Sequence, residues 1–248
     1  MDYKLDFEDL MVQTGLGALH CRHHAGKGGR IVFLHGIGSS TLDWDRLLKH
    51  LPADLDVYLV DLLGHGKSDK PRIDYTIGAQ VGTIEELVMG LGLGDFYLFG
   101  HSYGGWIAAA YASRHGVGGL VLEDPGGVAE AFYEMEASGK AAEFKERLFK
   151  ATMRFNENRD YVMRSILDLS FTEYKLDQQL LSGIRSRTLL IWGSADPMFE
   201  TKYSGLVKAR IHGSVLKIID GAAHVPHYTH SAVVASELLE FMGVQKSI

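Results

Sequence analysis

Short, wholly apolar runs alternate along the chain with longer segments that mix apolar and polar positions. Four-residue runs such as Ile31–Leu34 and Val57–Val60 are typical of strands that are buried on both faces. Mixed segments such as Thr76–Leu91 fit amphipathic helices. The alternation predicts an α/β fold, a mostly parallel central sheet with helices on both faces. The predicted strands of this part are Ile31–Leu34, Val57–Val60, Phe96–Phe99, Gly119–Glu123, Thr188–Trp192 and Val215–Ile219, and the predicted helices are Asp43–Leu51, Thr76–Leu91, one from Trp106 to about His115, Glu200–Ala209 and Ser231–Met242.

The alternation is interrupted once, after the strand that ends at Glu123. From Val128 to about Gly183 no apolar strand run occurs, and the pattern predicts helices instead. Since strands resume afterwards, we interpret this stretch as a helical cap, inserted after the sixth strand at the carboxyl edge of the sheet. The predicted core comprises residues 1–124 and 184–248, and the predicted cap comprises residues 125–183. The core begins with two strands within Leu10–Ala25, broken at residues 15–17. The predicted cap helices are Val128–Ser138, Ala141–Phe155, Arg159–Leu169 and Glu173–Leu181.

One strand runs directly into Gly100-His101-Ser102-Tyr103-Gly104, and a strong helix-forming segment follows. A serine in such a strand-to-helix turn adopts an unfavourable backbone angle, and a Cβ at either glycine is expected to collide with a neighbouring element. The turn holds the hydroxyl out at the carboxyl edge of the sheet, with the positive end of a helix behind it. Ser102 is therefore the candidate nucleophile.

A serine hydroxyl needs a general base, usually a histidine that a carboxylate holds in place. Two later loops, each directly after a strand, offer Asp196 and His224. The order Ser, Asp, His along the chain is the one expected for this architecture. Two alternatives stay open at this point. Asp124 also follows a strand and competes for the role of the acid, whereas His224, His227 and His230 share a three-residue spacing that also suggests a metal site; we expect His227 and His230 to be surface or supporting groups.

These motifs together resemble the α/β-hydrolase-fold serine hydrolases, the carboxylesterase-like enzymes that carry a helical lid. The resemblance covers nearly the whole chain. It implies Ser102 as nucleophile, His224 as base, Asp196 as the residue that orients the base, and an oxyanion hole from the backbone N–H groups of Ile37 and Tyr103. The motifs that carry it, in family order, are His35-Gly36-Ile37-Gly38, Asp61-x-x-Gly64-His65-Gly66-x-Ser68, Gly100-His101-Ser102-Tyr103-Gly104-Gly105, Gly193-x-x-Asp196 and Gly221-x-x-His224.

The other histidines near these motifs have less specific interpretations. We expect His35 to fix the oxyanion loop by hydrogen bonds, His65 to do the same for its glycine-rich loop, and His101 to pack beside the nucleophile. Neither the dinucleotide-binding glycine pattern nor a phosphate-binding P-loop is present, so we expect no nucleotide. No cofactor and no metal are expected.

Composition narrows the possible partners. A net charge of −6 without a basic run disfavours nucleic acid. The single cysteine, Cys21, excludes an internal disulfide, and we expect it to be a buried small hydrophobe. The first residues lack a signal-peptide pattern, and no apolar run approaches the length of a membrane span. We therefore expect a soluble, cytoplasmic protein without a membrane partner, either a monomer or a homodimer.

The expected reaction is hydrolysis of a small-molecule ester through an acyl-enzyme. A serine rather than an aspartate in the turn disfavours epoxide hydrolases and haloalkane dehalogenases. Aromatic residues and methionines in the cap suggest a small to medium, partly apolar acyl group. The fold also hosts C–C bond hydrolases, lactonases and proline iminopeptidases; Glu130, Glu134 and Glu136 of the cap either grip a substrate amine or form a solvated helix face. A slow-turnover receptor is the alternative from another class.

Overall fold

An eight-stranded sheet organises the protein, in a computed structural model that describes residues 5–154, 158–172 and 175–244. The strand order is β1-β2-β4-β3-β5-β6-β7-β8. The first two strands run antiparallel, and β3 to β8 are parallel. The prediction of a mostly parallel sheet is therefore confirmed. The strands are β1 (Glu8–Thr14), β2 (Gly17–His24), β3 (Arg30–Leu34), β4 (Asp56–Val60), β5 (Tyr97–His101), β6 (Gly119–Glu123), β7 (Thr188–Gly193) and β8 (Val215–Ile219).

Helices lie on both faces of the sheet because successive strand side chains point to opposite sides. In β3, Val32 and Leu34 belong to one apolar cluster, whereas Ile31 and Phe33 belong to a second cluster on the other face. The first cluster packs against α2 and α3, and the second against α1 and α10. The helices are α1 (Asp45–Leu48), α2 (Ile77–Gly90), α3 (Ser102–Ala112), α4 (Ala129–Ala137), α5 (Ala141–Thr152), α6 (Asp160–Leu169), α7 (Gln178–Gly183), α8 (Lys202–Arg210), α9 (Pro226–Thr229) and α10 (Ser231–Met242).

The prediction of one helix over Asp43–Leu51 is wrong. A 3₁₀ turn spans Thr41–Trp44, and α1 adds only a single turn after it. Ser40 caps the 3₁₀ turn, and the Trp44 side chain is completely buried. The chain then continues in i→i+3 turns, in which Leu51 N–H bonds the carbonyl of Leu48, because Pro52 disfavours a helical conformation at the residue before it.

Helices α4 to α7 follow β6 and precede β7, as the interruption of the strand pattern predicts. The predicted helix Glu173–Leu181 begins later than expected. Asp177 caps α7 by accepting from the N–H of Leu180, and Leu176 forms an isolated bridge with Val128 instead of a helical turn. Glu173 lies outside the described residues, as does Phe155 at the end of another predicted helix. We call α4 to α7 the helical segment; whether it is a separate domain stays a prediction.

No helix among the described residues is both long and apolar enough to cross a bilayer. Cys21 is completely buried in β2, as predicted, and burial raises the pKa of its thiol to about 12. A thiol that stays protonated at neutral pH is a poor nucleophile. Ser102 therefore stays the candidate nucleophile of the chain.

Candidate active site

Ser102 lies at the sharp turn between β5 and α3, where its φ angle is +50°. Such a left-handed conformation costs a non-glycine residue on the order of 1–3 kcal/mol and persists only where neighbouring structure enforces it. Here two close approaches enforce it. A Cβ at Gly100 would collide with the carbonyl oxygen of Gly104, and one at Gly104 would collide with the carbonyl oxygen of Leu34 in β3. The two glycines let helix α3 lie directly against the sheet, as the sequence predicts.

The structure brings the serine, histidine and aspartate together from the ends of β5, β7 and β8. The Oγ of Ser102 lies 2.9 Å from Nε2 of His224, and Nδ1 of His224 lies 2.7 Å from Oδ2 of Asp196. The carboxylate accepts the Nδ1–H, so Nε2 carries the lone pair that faces the hydroxyl. This arrangement can remove the hydroxyl proton as the oxygen attacks an electrophile.

Backbone groups hold the carboxylate of Asp196 in position. Its Oδ1 accepts the N–H groups of Met198 at 2.7 Å and Phe199 at 3.1 Å, which leaves Oδ2 for the histidine. Asp196 is only 6% exposed. Because both oxygens are engaged, the carboxylate has one orientation, and it keeps the imidazole of His224 in one tautomer.

The alternative acid, Asp124, lies beside this pair, and its carboxyl hydrogen-bonds to Asp196 and to the main chain. Its Oδ1 accepts the N–H of Gly193 at 3.1 Å. Burial raises the pKa of Asp124 well above its usual range, and the charge of Asp196 raises it further. A buried carboxyl next to an ionised one keeps its proton. The geometry therefore pairs Asp196, and not Asp124, with His224.

The predicted oxyanion residues, Ile37 and Tyr103, line the same cavity as Ser102. Tyr103 is the second residue of α3 and directly follows Ser102. The loop before Ile37 approaches the nucleophile closely, since a Cβ at Gly36 would lie 3.4 Å from the Cβ of Ser102. This proximity is what a two-donor oxyanion hole requires.

His35 fixes this loop, as predicted. Its Nδ1–H donates to the carbonyl of Gly36 at 2.7 Å, and its Nε2 accepts the N–H of Leu62 at 3.1 Å. Both bonds require the neutral ring, and burial lowers its pKa accordingly. His65 packs with its ring centroid 5.2 Å from that of His35, and burial lowers the pKa of His65 to about 3. These two histidines join the loops after β3 and β4.

His227 is completely buried, which excludes a surface position and leaves the other expected possibility, a supporting group. Its N–H and its Nδ1 both bond the carboxylate of Glu123, at the end of β6. His230 is partly exposed and lies against Thr229. The two residues therefore have different partners from His224. The sequence offered one signal for this buried contact, a glutamate that ends an otherwise apolar strand.

Among the residues that the structure describes, two groups of three side chains have the composition of metal ligands. They are Asp124, Asp196 and His224, and Asp43, His101 and His227. In Asp124, Asp196 and His224, two of the donor atoms already bond each other. In the other group His227 lies between carboxylates. Burial opposes its charge, but the carboxylates of Glu123 and Asp43 outweigh that cost and raise the pKa of His227 to about 10. A protonated imidazole has no lone pair for a metal. Neither group is therefore a good metal site.

An apolar cavity opens at the Ser102 hydroxyl. Its volume is only about 30 Å³. One side consists of the core residues Tyr103 and Trp106, and side chains of α4 to α6 form the other. The apolar side chains that line it, apart from those near the turn, are Phe132, Phe144, Leu148, Leu167, Phe171, Met198 and Phe199.

A larger cavity of about 660 Å³ lies near the start of the chain and is not lined by Ser102. Its charged side chains are engaged with one another: Lys67 pairs with Asp9 at 2.8 Å, and His20 contacts Asp61 at 2.7 Å. We place the candidate chemistry in the smaller cavity, because Ser102 lines it.

The acidic residues of α4 contact α8 rather than the cavity. The carboxylate of Glu130 accepts hydrogen bonds from both terminal nitrogens of Arg210. The carboxylate of Glu134 accepts hydrogen bonds from Nζ of Lys202 and from the hydroxyl of Tyr203, each at 2.7 Å. Neither glutamate lines the cavity at Ser102. Glu136 is exposed. These contacts join the helical segment to the core and do not favour a role in holding a substrate amine.

Proteins of related sequence include two lipases. Lipase 1 of Psychrobacter immobilis is 25% identical and the alignment covers 90% of this chain and 79% of that protein. A monoacylglycerol lipase of Xenopus laevis is 26% identical over 82% of this chain and 73% of its own length. An uncharacterized protein of Mycobacterium tuberculosis is 26% identical over 88% and 76%.

Solved structures share the fold across nearly the whole chain. A lipase-like protein of Acinetobacter baumannii superimposes with a TM-score of 0.81 at 18% identity, covering 95% of this chain and 91% of that one. An esterase of Exiguobacterium antarcticum gives 0.79 at 20% identity, covering 95% and 100%. The sequence model of the alpha/beta hydrolase family matches residues 31–237, from β3 into α10. The sheet, the serine turn and this match lead to one conclusion: the chain belongs to the alpha/beta hydrolase family.

Proposed function

We propose that this hydrolase cleaves carboxylic esters of small to medium acyl chains through an acyl-enzyme on Ser102. The observation that carries the proposal is the continuous hydrogen-bonded series from Ser102 through His224 to Asp196, with distances of 2.9 and 2.7 Å. A strained serine at hydrogen-bond distance from an oriented imidazole is the arrangement that activates a serine hydroxyl as a nucleophile.

In the proposed reaction, Ser102 Oγ attacks the ester carbonyl as His224 Nε2 takes its proton. The carbonyl oxygen becomes negatively charged and accepts the N–H groups of Ile37 and Tyr103. The imidazolium, held by Asp196, then protonates the leaving alcohol as the bond to it breaks. A water molecule repeats the steps on the acyl-enzyme and releases the carboxylic acid. Each oxyanion donor of this kind contributes about 10²–10³ in rate.

The small cavity is the proposed acyl site. Its walls are apolar and aromatic, which suits an alkyl chain, and its space of about 30 Å³ suits only a very short one. A longer acyl chain requires displacement of side chains on α5 and α6, such as Phe144 and Leu167. We therefore expect short-chain esters to react fastest.

Related proteins support an ester substrate more than an amide. The relatives include a lipase and a monoacylglycerol lipase, and the structural neighbours include an esterase and an enol-lactonase. Lactone hydrolysis, C–C bond hydrolysis and proline iminopeptidase activity are alternative reactions that would use the same Ser102, His224 and Asp196. The iminopeptidase activity is disfavoured, because Glu130 and Glu134 pair with cations of α8.

The test is hydrolysis of p-nitrophenyl esters from acetyl to decanoyl, with an N-terminal prolyl amide and a lactone as comparators. We expect many turnovers on the short esters, and loss of them in Ser102→Ala. The matched control is Ser182→Ala, which changes an exposed serine on α7. Comparable hydrolysis by purified, folded Ser102→Ala would disprove the proposal. A single burst with retained product in the wild type would favour the slow-turnover receptor.

A further inference from the structure

We propose that His101 is a positioning residue for catalysis: its ring N–H holds the main-chain carbonyl of His224, and a buried group of Glu123, His227 and Asp43 holds the remainder of that loop. The inference rests on the proposed function, in which His224 is the general base. It adds a residue that acts on the base from behind, without touching the substrate. We call Asp43, His101, Glu123 and His227 the buried histidine network.

The direct contact is a hydrogen bond to the residue that carries the base. Nε2 of His101 lies 2.8 Å from the carbonyl oxygen of His224. A carbonyl only accepts, so Nε2 of His101 carries the hydrogen. His101 is 4% exposed, so water does not readily replace this donor. Since the carbonyl and the imidazole belong to one residue, the bond restricts where the base can lie.

A second contact holds the same loop three residues later. The N–H of His227 donates to Oε1 of Glu123 at 2.9 Å, and its Nδ1–H donates to Oε2 of the same carboxylate. In the sheet, His101 and Glu123 are directly paired residues at the ends of β5 and β6. Two neighbouring strand ends therefore hold the beginning and the end of residues 224–227.

The charged groups of the network lie close to the ring of His101. His227 lies between Glu123 and Asp43, whose Oδ2 is 3.5 Å from Nε2 of His227 and 4.0 Å from Nδ1 of His101. The rings of His101 and His227 have centroids 4.8 Å apart. Burial lowers the pKa of His101 well below its usual range, and the neighbouring His227 lowers it further, against the opposing charge of Asp43. The contact with the carbonyl of His224 requires the ring hydrogen on Nε2.

Position matters more than stability for such a contact. An error of about 1 Å in the placement of a catalytic group can cost roughly 10²-fold in rate. The serine is fixed independently, by the turn between β5 and α3. A shift of the histidine loop therefore lengthens the distance between Ser102 and His224 and slows the attack.

The test compares His101→Gln, His101→Asn and His101→Leu. The glutamine amide reaches the position of Nε2 and can donate to the carbonyl; the shorter asparagine and the leucine cannot. We expect His101→Leu and His101→Asn to lower kcat by roughly 10- to 100-fold with little change in KM, and His101→Gln to recover most of the loss. Two readouts depend on the base: the rate at which a fluorophosphonate labels Ser102, and the acidic limb of the pH–rate profile.

Thermal unfolding separates folding from positioning, because the polar Gln and Asn variants disturb the packing to a similar extent. Equal labelling rates in the wild type, His101→Gln and His101→Asn would overturn the proposal. Losses of activity in His101→Asn and His101→Leu that parallel the unfolded fraction would also overturn it. The labelling rate does not depend on which ester is the substrate. Failure of the ester assay together with normal labelling would therefore count against the proposed function and not against the role of His101.

Discussion

The carboxyl edge of the sheet and the helical segment that lies over it are built in different ways. At the edge, the reacting side chains come from ends of parallel strands, and main-chain hydrogen bonds fix them at 2.7 to 3.1 Å. In the helical segment, α5 has only two buried residues, Phe144 and Thr152. Salt bridges from α4 to α8 join this segment to the core.

This difference separates two tasks. The edge holds the proposed nucleophile, base and carboxylate, so a change there should alter the rate of the chemical step. The helical segment forms one wall of the cavity at Ser102, the proposed acyl site, so a change there should alter which ester is preferred. Variants on each side test whether the division is real.

The largest effect is expected at the carboxylate of Asp196. Asp196→Asn exchanges an acceptor for an amide and disturbs the tautomer of His224, and such a change lowers kcat by about 10⁴ in a serine–histidine–aspartate triad. Asp124→Asn should have little effect, since the amide resembles the protonated carboxyl that burial favours there. Steady-state kinetics of the two variants decide the matter. A larger loss in Asp124→Asn would assign the acid to the other residue.

Loss of the close contact between Gly104 and β3 should lower the free energy of unfolding more than the other substitutions proposed here. In Gly104→Ala the new methyl group collides with the backbone of β3, and we expect a loss of about 3 kcal/mol in the free energy of unfolding. The control is Gly205→Ala in α8, where no atom lies within 4 Å of the added carbon and the change should stabilise the helix by up to about 1 kcal/mol. Urea unfolding measures both. Equal effects would contradict the role given to Gly104.

The wall of the acyl cavity should control chain length. Phe144 is 9% exposed and lines the cavity, so Phe144→Ala makes room for a longer acyl chain. We expect kcat/KM for hexanoyl relative to acetyl esters to rise about tenfold, within the range for added methylenes in apolar pockets. Tyr133→Ala changes an exposed aromatic of α4 and is the matched control. An unchanged ratio in Phe144→Ala would place the acyl chain elsewhere.

The smallest effect is expected from the salt bridge between α4 and α8. Glu130→Gln weakens the contact with Arg210, a pair whose side chains are 31% and 17% exposed. Partly exposed ion pairs are typically worth less than about 1 kcal/mol. We expect a slight fall in thermal stability and no change in kcat. Glu136→Gln, on the same helix and exposed, serves as control; a large loss of kcat in Glu130→Gln alone would give this residue a part in the reaction.

Local patterns predict the features that depend on neighbours in sequence. The strained turn at Ser102 follows from two glycines and a strand-to-helix transition, and Asp196 and His224 follow from their places after strands. The helix predicted from Asp43 fails because periodicity alone does not register a buried Trp44 or the proline that follows. The helix that contains α7 begins later than predicted, because Leu176 forms a bridge with the distant Val128, a contact that local periodicity does not register.

Local sequence patterns do not predict the buried histidine network. Glu123 and His227 are 104 positions apart, and their pairing depends on which strand ends are neighbours in the sheet. The strand order is itself a long-range property. A glutamate at the end of an apolar strand indicates that a partner is required, but nothing near it in the sequence identifies that partner as His227.

The most direct test of the central claim is the mass of the protein after reaction with a fluorophosphonate. The account predicts one adduct per chain, on the peptide that contains Ser102, with labelling abolished in Ser102→Ala and strongly slowed in His224→Gln. Labelling of another residue, or equal labelling in Ser102→Ala, would contradict it.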